Sequence, residues 1–311
     1  MLIPSSQISG WKDLQDKVAQ LFKEMGYDVQ SPHIVKHVRG EKEIDVYVSD
    51  PRTSVPHVIL IECKHWGSNL PQDTVHGFRT VMTDTGANTG IIVGTTGFQS
   101  GAKEAVNLTN VELRTWDSLQ RAYGNEWFLR QQERIAPLEE EIRRRDRDYL
   151  DQGQAIKTAA NLMRFEHTGR LVELYDLLAE GRLLIFAMMS GPKSFDQPGP
   201  IEVSVDEEYT GAERSRNDLF LLRLKDVRAW FQWVEGASRS LIERFRVLEK
   251  ATFDTFEALP DAAADEAMKR TFRGIREETP IRVLKSRLQP DEYERLLELV
   301  SGSDPPIGDR P

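Results

Sequence analysis

Cysteine is almost missing from this chain: Cys63 is the only one among 311 residues. No internal disulfide and no cysteine-built zinc site can form, and a reducing compartment is the expectation. No stretch approaches the roughly 18 consecutive apolar residues of a membrane span. The opening Met1-Leu2-Ile3-Pro4-Ser5-Ser6 has neither a basic region nor a long apolar run, so no secretion signal and a cytoplasmic location are expected. There is no phosphate-binding P-loop motif, which argues against an NTP-driven motor, and no internal repeat. A positive balance is lacking too, since the formal charge is −9. That excludes a surface that grips nucleic acid all over. It leaves room for a local basic groove, because a bound cation offsets part of the phosphate charge.

What is present suffices for two domains: 311 residues, 39% apolar and 29% charged. The most informative stretch is charged. Residues 43–48, Glu43-Ile44-Asp45-Val46-Tyr47-Val48, alternate and predict a strand. Residues 57–64 predict a second, nearly all apolar until Glu62-Cys63-Lys64. Side chains alternate along a strand, so Glu62 and Lys64 share a face and Cys63 takes the other. Glu62 can bind a divalent cation, Asp45 on the paired strand can supply a second carboxylate, and Lys64 can sit over an attacking water. A hard cation such as Mg²⁺ takes oxygen ligands and keeps several waters, so two carboxylates are enough. A Glu-x-Lys triplet with an upstream Asp also arises by chance, and Lys64 could merely pair with Glu62. Charge at the ends of otherwise buried strands is costly, however, and calls for a use.

Around this stretch the pattern predicts a compact α/β domain. Residues 11–25 predict a helix with Leu14, Val18, Leu21 and Phe22 as its apolar stripe, Ser5 or Ser6 just ahead and Gly26 as its stop. A short strand follows at 27–29, then the two acid-bearing strands. A helix is predicted over 72–85, with Val75, Phe78, Val81 and Met82 inward. Then come a wholly apolar strand over 90–94, a helix over 100–107 and a strand over 111–116. The order is helix, three strands, helix, strand, helix, strand.

This order and these residues resemble the Mrr-like branch of the restriction-endonuclease fold, the PD-(D/E)xK nucleases. The resemblance covers roughly residues 8–120. It rests on Leu21-Phe22-Lys23-Glu24-Met25-Gly26-Tyr27, on Gly40 before Glu43-Ile44-Asp45, on Ile61-Glu62-Cys63-Lys64, on Val75-His76-Gly77-Phe78, on the run from Gly86 through Gly90-Ile91-Ile92-Val93-Gly94-Thr95-Thr96-Gly97-Phe98, and on Ala102 and Ala105. It implies a mixed sheet flanked by helices and hydrolysis of DNA phosphodiester bonds. By match, Asp45, Glu62 and the Cys63 backbone carbonyl would hold Mg²⁺, or Mn²⁺ as a substitute, and Lys64 would assist the nucleophile. Two departures stand out. Where the family often has a glutamate in the first helix, this chain has Gln15; where some members have a glutamine after the lysine, it has His76, with Gln72 one turn earlier. Gln15, Gln72 and His76 are therefore auxiliary candidates.

Five of the six histidines precede residue 80, namely His33, His37, His57, His65 and His76, but their spacing matches no zinc signature. Trp66 and Phe98 are candidates to stack on bases, against the alternative of partly buried packing residues. Thr95 and Thr96, beside Gly94 and Gly97, are candidates to contact phosphate.

Past residue 120 the composition changes. Residues 126–150 predict a long charged helix which Pro137 should kink or split. The basic cluster Arg143-Arg144-Arg145-Asp146-Arg147 could touch DNA, but its interspersed acids favour a solvated face. Helix is expected over 155–178; residues 183–189 fit either a buried helix end or a strand. An exposed loop with one strand at 201–205 is expected over 191–215, then helix over 217–259 with Trp230, Phe231 and Trp233 inward, short helices over 280–300 and a disordered tail. The expected organisation is a nuclease domain over 1–120, a mainly α-helical region of unknown role over 121–300 and a tail over 301–311. The second region could choose the target, mediate dimerisation or bind a protein partner, and cutting two strands favours a homo-oligomer. The leading expectation is a metal-dependent DNA endonuclease in bacterial defence. The alternatives are a nuclease of the same fold acting on junctions, damaged DNA or RNA, and a non-catalytic nucleic-acid- or protein-binding module.

Overall fold

The computed structural model describes residue 3 and residues 7–38, 40–150, 155–205 and 220–258. The chain divides into two compact units. One is Met1–Arg134 with Pro192–Ile201 and Leu224–Phe231; the other is Ile135–Gly191 with Glu202–Arg223 and Gln232–Pro311.

The first unit begins with α1 (Trp11–Glu24), whose Leu14, Val18, Leu21 and Phe22 stripe is buried. Asp13 in its first turn accepts the Ser9 N–H at 2.8 Å, using an acid where the helix dipole favours one. Gly26 follows the helix at φ +84, a left-handed turn free of Cβ strain. Then come β1 (Asp28–Gln30), β2 (His33–His37), β3 (Gly40–Ile44), β4 (Val46–Ser49) and β5 (Val58–Lys64). The region is completed by α2 (Gln72–Thr85), β6 (Thr89–Gly94), α3 (Ser100–Ala105) and β7 (Val111–Thr115). The five-stranded sheet has the order β1-β4-β5-β6-β7. β1, β4 and β5 are antiparallel, whereas β5, β6 and β7 are parallel, so the sheet is mixed as expected.

α1 packs on β1, β4 and β5, α2 on β6, and α3 on α2. Leu60 of β5 and Ile92 of β6 join Phe78 and Met82 of α2 in one apolar cluster. β6 can lie so near α2 only because residue 90 is glycine. A Cβ there would stand 2.8 Å from both Phe78 Cε1 and Met82 Sδ.

The single strand expected over residues 43–48 is two. The backbone bends at Asp45; β3 before it pairs with β2 in a separate two-stranded hairpin, and β4 after it pairs with β5. Five strands therefore separate α1 from α2, not three. The hairpin carries little apolar signal, because Glu41, Lys42 and Glu43 are exposed and only Val35 and Ile44 are buried.

α4 (Trp116–Leu150) springs directly from β7, earlier than residue 126, and runs unbroken through Pro137. Its first turns belong to the first unit, where Trp127 and Phe128 meet Phe231 edge-on at 5.7 and 5.4 Å. The helix expected over 155–178 is interrupted: α5 (Ala155–His167) ends before Gly169 at φ +71, and α6 (Leu171–Ser190) follows. Residues 183–189 form the end of α6. β8 (Ile201–Val205) is where the sequence places a strand, but its partner β9 (Phe220–Leu224) falls in a stretch expected to be helical. α7 (Val227–Glu257) buries Trp230 and Phe231, with Trp233 partly covered.

In the second unit, Ile142 and Tyr149 of α4 pack with Leu174 and Leu178 of α6 and with Leu241 and Phe245 of α7. The arginine cluster there is neutralised locally. Arg143 pairs with Glu139 at 2.7 Å, Arg147 with Glu140 at 2.6 Å and Arg144 with Asp148 at 3.0 Å. Arg145 is buried between Glu141 and Glu249. Among the described residues no helix is long and apolar enough to cross a membrane. The expectations for Ser5, Ser6 and residues 280–311 lie outside the described residues.

Candidate active site

Asp45 is buried at the bend between β3 and β4, and its Oδ2 accepts the Cys63 N–H of β5 at 2.7 Å. The β4–β5 ladder pairs Val46 with Ile61. One step further along that ladder, Asp45 stands beside Glu62. Lys64, two residues on and on the same face as Glu62, donates from Nζ to Glu62 Oε1 at 2.6 Å. The structure thus gathers Asp45, Glu62 and Lys64 at the C-terminal end of a parallel strand, the end at which open α/β sheets bind ligands.

The electrostatics follow from that crowding. Burial, and after it the negative charge of Asp45, push the Glu62 carboxyl above its ordinary value; Lys64 and then Lys42 pull it back. Burial, reinforced by Asp45 and Glu62, pushes the Cys63 thiol far up, so its sulfur stays protonated and is no thiolate ligand. The opposition that Asp45 sets up to the ionisation of Glu62 is what a divalent cation would relieve, and carboxylate oxygens are the donors a hard cation takes. Among the described residues no three or more His, Cys, Asp or Glu side chains gather as a metal-ligand set. An ion at this site would complete its shell with backbone carbonyls and water.

Gln15 of α1 reaches the same place. It is fully buried, and its Nε2 donates to the Asp45 carbonyl at 2.7 Å and to Ser31 Oγ at 3.0 Å. Gln72 and His76 instead contact each other at 2.9 Å, one turn apart at the start of α2. Among the described residues neither hydrogen-bonds Asp45, Glu62 or Lys64.

Two loops leave this edge of the sheet and are stapled together. Thr95 N–H donates to the Lys64 carbonyl at 3.2 Å, Leu70 N–H to the Gly97 carbonyl at 3.1 Å, and Thr96 Oγ1 to the Ser68 carbonyl at 2.8 Å. Trp66 is exposed on the first of these loops. Phe98 is not available for stacking: it is buried in the apolar cluster with Leu60, Leu70 and Ile92. Sequence reasoning missed Ser31 and Lys42. Ser31 carries no signal of its own. Lys42 sits three residues before Asp45 in a strand whose charges look like an ordinary solvated face.

The mixed sheet thus carries an acid at the head of one strand and Glu-x-Lys closing its neighbour. Residues 7–123 match the Mrr_cat family model, described as a restriction endonuclease. The stretch that holds Asp45, Glu62 and Lys64 therefore carries an Mrr-type restriction-endonuclease domain. Such a domain has a nuclease role and implies DNA as substrate. Among solved structures the chain is similar to a protein of unknown function, AF1548, at 17% identity over 57% of this chain and 98% of that one, TM-score 0.31. It is also similar to MspJI restriction endonuclease in complex with a 27-mer oligonucleotide, at 19% identity over 37% of this chain and 26% of that one, TM-score 0.25. No curated protein matches the chain.

Proposed function

We propose that the protein is a metal-dependent endonuclease that hydrolyses DNA phosphodiester bonds, in restriction of foreign DNA. The observation that carries this reading is the joint placement of Asp45 on the Cys63 N–H and of Lys64 on Glu62. Asp45, Glu62 and the Cys63 carbonyl are the groups that would hold Mg²⁺ or Mn²⁺. When bound there, the ion supplies a lowered water pKa and a counter-charge for the scissile phosphate.

The chain's own residues do the rest. Asp45 arrives already aimed, because its carboxylate is tied to the backbone of β5. Glu62 holds Lys64 in place. Lys64 orients the attacking water and offsets the negative charge that develops on the phosphate. A lysine suits this work, being a compact charge with three donors. Lys42, whose charge is felt at Glu62, meets a flanking phosphate. Trp66 and Thr95, on the loops beyond Lys64, lie along the path of the DNA. Cutting both strands takes two such sites, so two copies act together. The second unit selects the target or a protein partner.

The test is cleavage of supercoiled plasmid by the full chain. With Mg²⁺ or Mn²⁺ the wild type is expected to nick or linearise the plasmid, and a chelator to stop it. Asp45→Asn should be inactive while still binding DNA. Cleavage that persists in the chelator, or in Asp45→Asn, rules the reading out.

A further inference from the structure

The proposed mechanism does not need a glutamine in the first helix, yet Gln15 is fully buried against the site. Its hydrogen bonds close without remainder. The amide has two hydrogens; one goes to the Asp45 carbonyl at 2.7 Å and the other to Ser31 Oγ at 3.0 Å. The Ser31 hydroxyl has one hydrogen, which goes to the same Asp45 carbonyl at 2.8 Å. Both lone pairs of that carbonyl are thereby used. The Gln15 oxygen is met by Lys12 Nζ at 3.4 Å. Asp45 is gripped at both ends, its main chain by Gln15 and Ser31 and its side chain by the Cys63 N–H. It sits where the chain leaves one strand pairing for another, so no ladder holds its carbonyl.

From this geometry we infer that Gln15 and Ser31 form a positioning clamp that sets the Asp45 carboxylate for the metal, and that Gln15 is not itself a ligand. The inference rests on the nuclease reading for its purpose but not for its geometry. The carbonyl of Asp45 accepts only, so position 15 must donate. A glutamate there, the residue the resembling family often carries, has no hydrogen to give when ionised. It would also add a third negative charge, itself buried, beside Asp45 and Glu62, with the desolvation that entails. Restoring the family's acid should therefore harm this site. Residues that orient metal ligands typically matter to metal affinity by about 10- to 100-fold.

The test compares the full-length wild type with Gln15→Ala, Gln15→Glu, Ser31→Ala and Ser31→Thr, each checked for folding by its thermal midpoint. One readout is hydrogen exchange of the Cys63 amide by NMR without metal, since that N–H is bonded to Asp45 Oδ2. The other is Mn²⁺ binding by calorimetry. Faster Cys63 exchange and about tenfold weaker Mn²⁺ binding are expected in both alanine variants. Gln15→Glu should bind Mn²⁺ no better than Gln15→Ala, and Ser31→Thr, which keeps the hydroxyl, should behave as wild type. Unchanged Cys63 exchange in both alanine variants, or Gln15→Glu binding Mn²⁺ more tightly than wild type, overturns the clamp. If the wild type binds no Mn²⁺ and cuts no DNA, it is the nuclease reading that fails, and Cys63 exchange still decides the clamp. Should the alanine variants not fold, Gln15→Glu against Ser31→Thr makes the same decision.

Discussion

Glu62 is pulled in two directions by its nearest charges. Asp45 opposes its ionisation and Lys64 favours it. Removing Lys64 therefore does two things. It takes away the group proposed to stabilise charge on the phosphate, and it leaves Glu62 beside Asp45 with the weaker pull of Lys42. Loss of a single such electrostatic donor lowers a rate by about 10²- to 10³-fold, and Lys64→Ala should fall in that range with its thermal midpoint close to wild type. Lys42 makes a different prediction. If it meets a phosphate away from the cut, Lys42→Ala weakens DNA binding about equally for all sequences. It also lowers the slope of log affinity against log salt by about one. A filter-binding series over salt reads both; an unchanged slope removes Lys42 from the interface.

At the scale of elements, the sheet was legible where packing is simple. The stripe of Leu14, Val18, Leu21 and Phe22, and the unbroken apolar run of β6, each predict one structure and get it. The β2–β3 hairpin was not legible, because its exposed charges leave no period-two pattern. β9 was missed for a related reason: Phe220-Leu221-Leu222-Arg223-Leu224 is short and apolar, and periodicity alone does not separate a strand from a helix there. Of the candidate site, Asp45, Glu62 and Lys64 could be named from type and spacing. Ser31 could not, since it acts on a backbone carbonyl and any donor at the right place in space would serve. Phe98 looked like a base-contacting aromatic only because sequence does not show that its ring faces the core. The tight approach of α2 to β6 gives a direct test. Gly90→Ala places a methyl group against Phe78 and Met82, and overpacking of this kind costs about 1–3 kcal/mol. Denaturant unfolding should show that loss, while Gly77→Ala, where a Cβ meets nothing within 4 Å, should be neutral or stabilising.

For the whole molecule, the two units answer to different conditions. In the second, the Arg145 guanidinium, followed by Arg144, holds the Glu141 carboxyl below its ordinary value of 4.5, outweighing a smaller effect of burial. A carboxyl lowered on folding adds stability above its unfolded pKa, and that stability is lost as pH falls through the folded value. The second unit should therefore lose stability below about pH 4.5. Arg145→Ala should flatten that dependence and also destabilise by about 3 kcal/mol, since it takes the buried guanidinium away from Glu249 and leaves that carboxylate held by the Tyr149 hydroxyl. Thermal midpoints of both proteins across acid pH check this. The nuclease reading itself turns on one experiment, single-turnover cleavage of supercoiled plasmid in Mg²⁺ by the full chain and by Lys64→Ala. The account predicts cutting by the wild type and at least about a hundredfold slower cutting by the variant at equal DNA binding. Equal rates in the two proteins would contradict it.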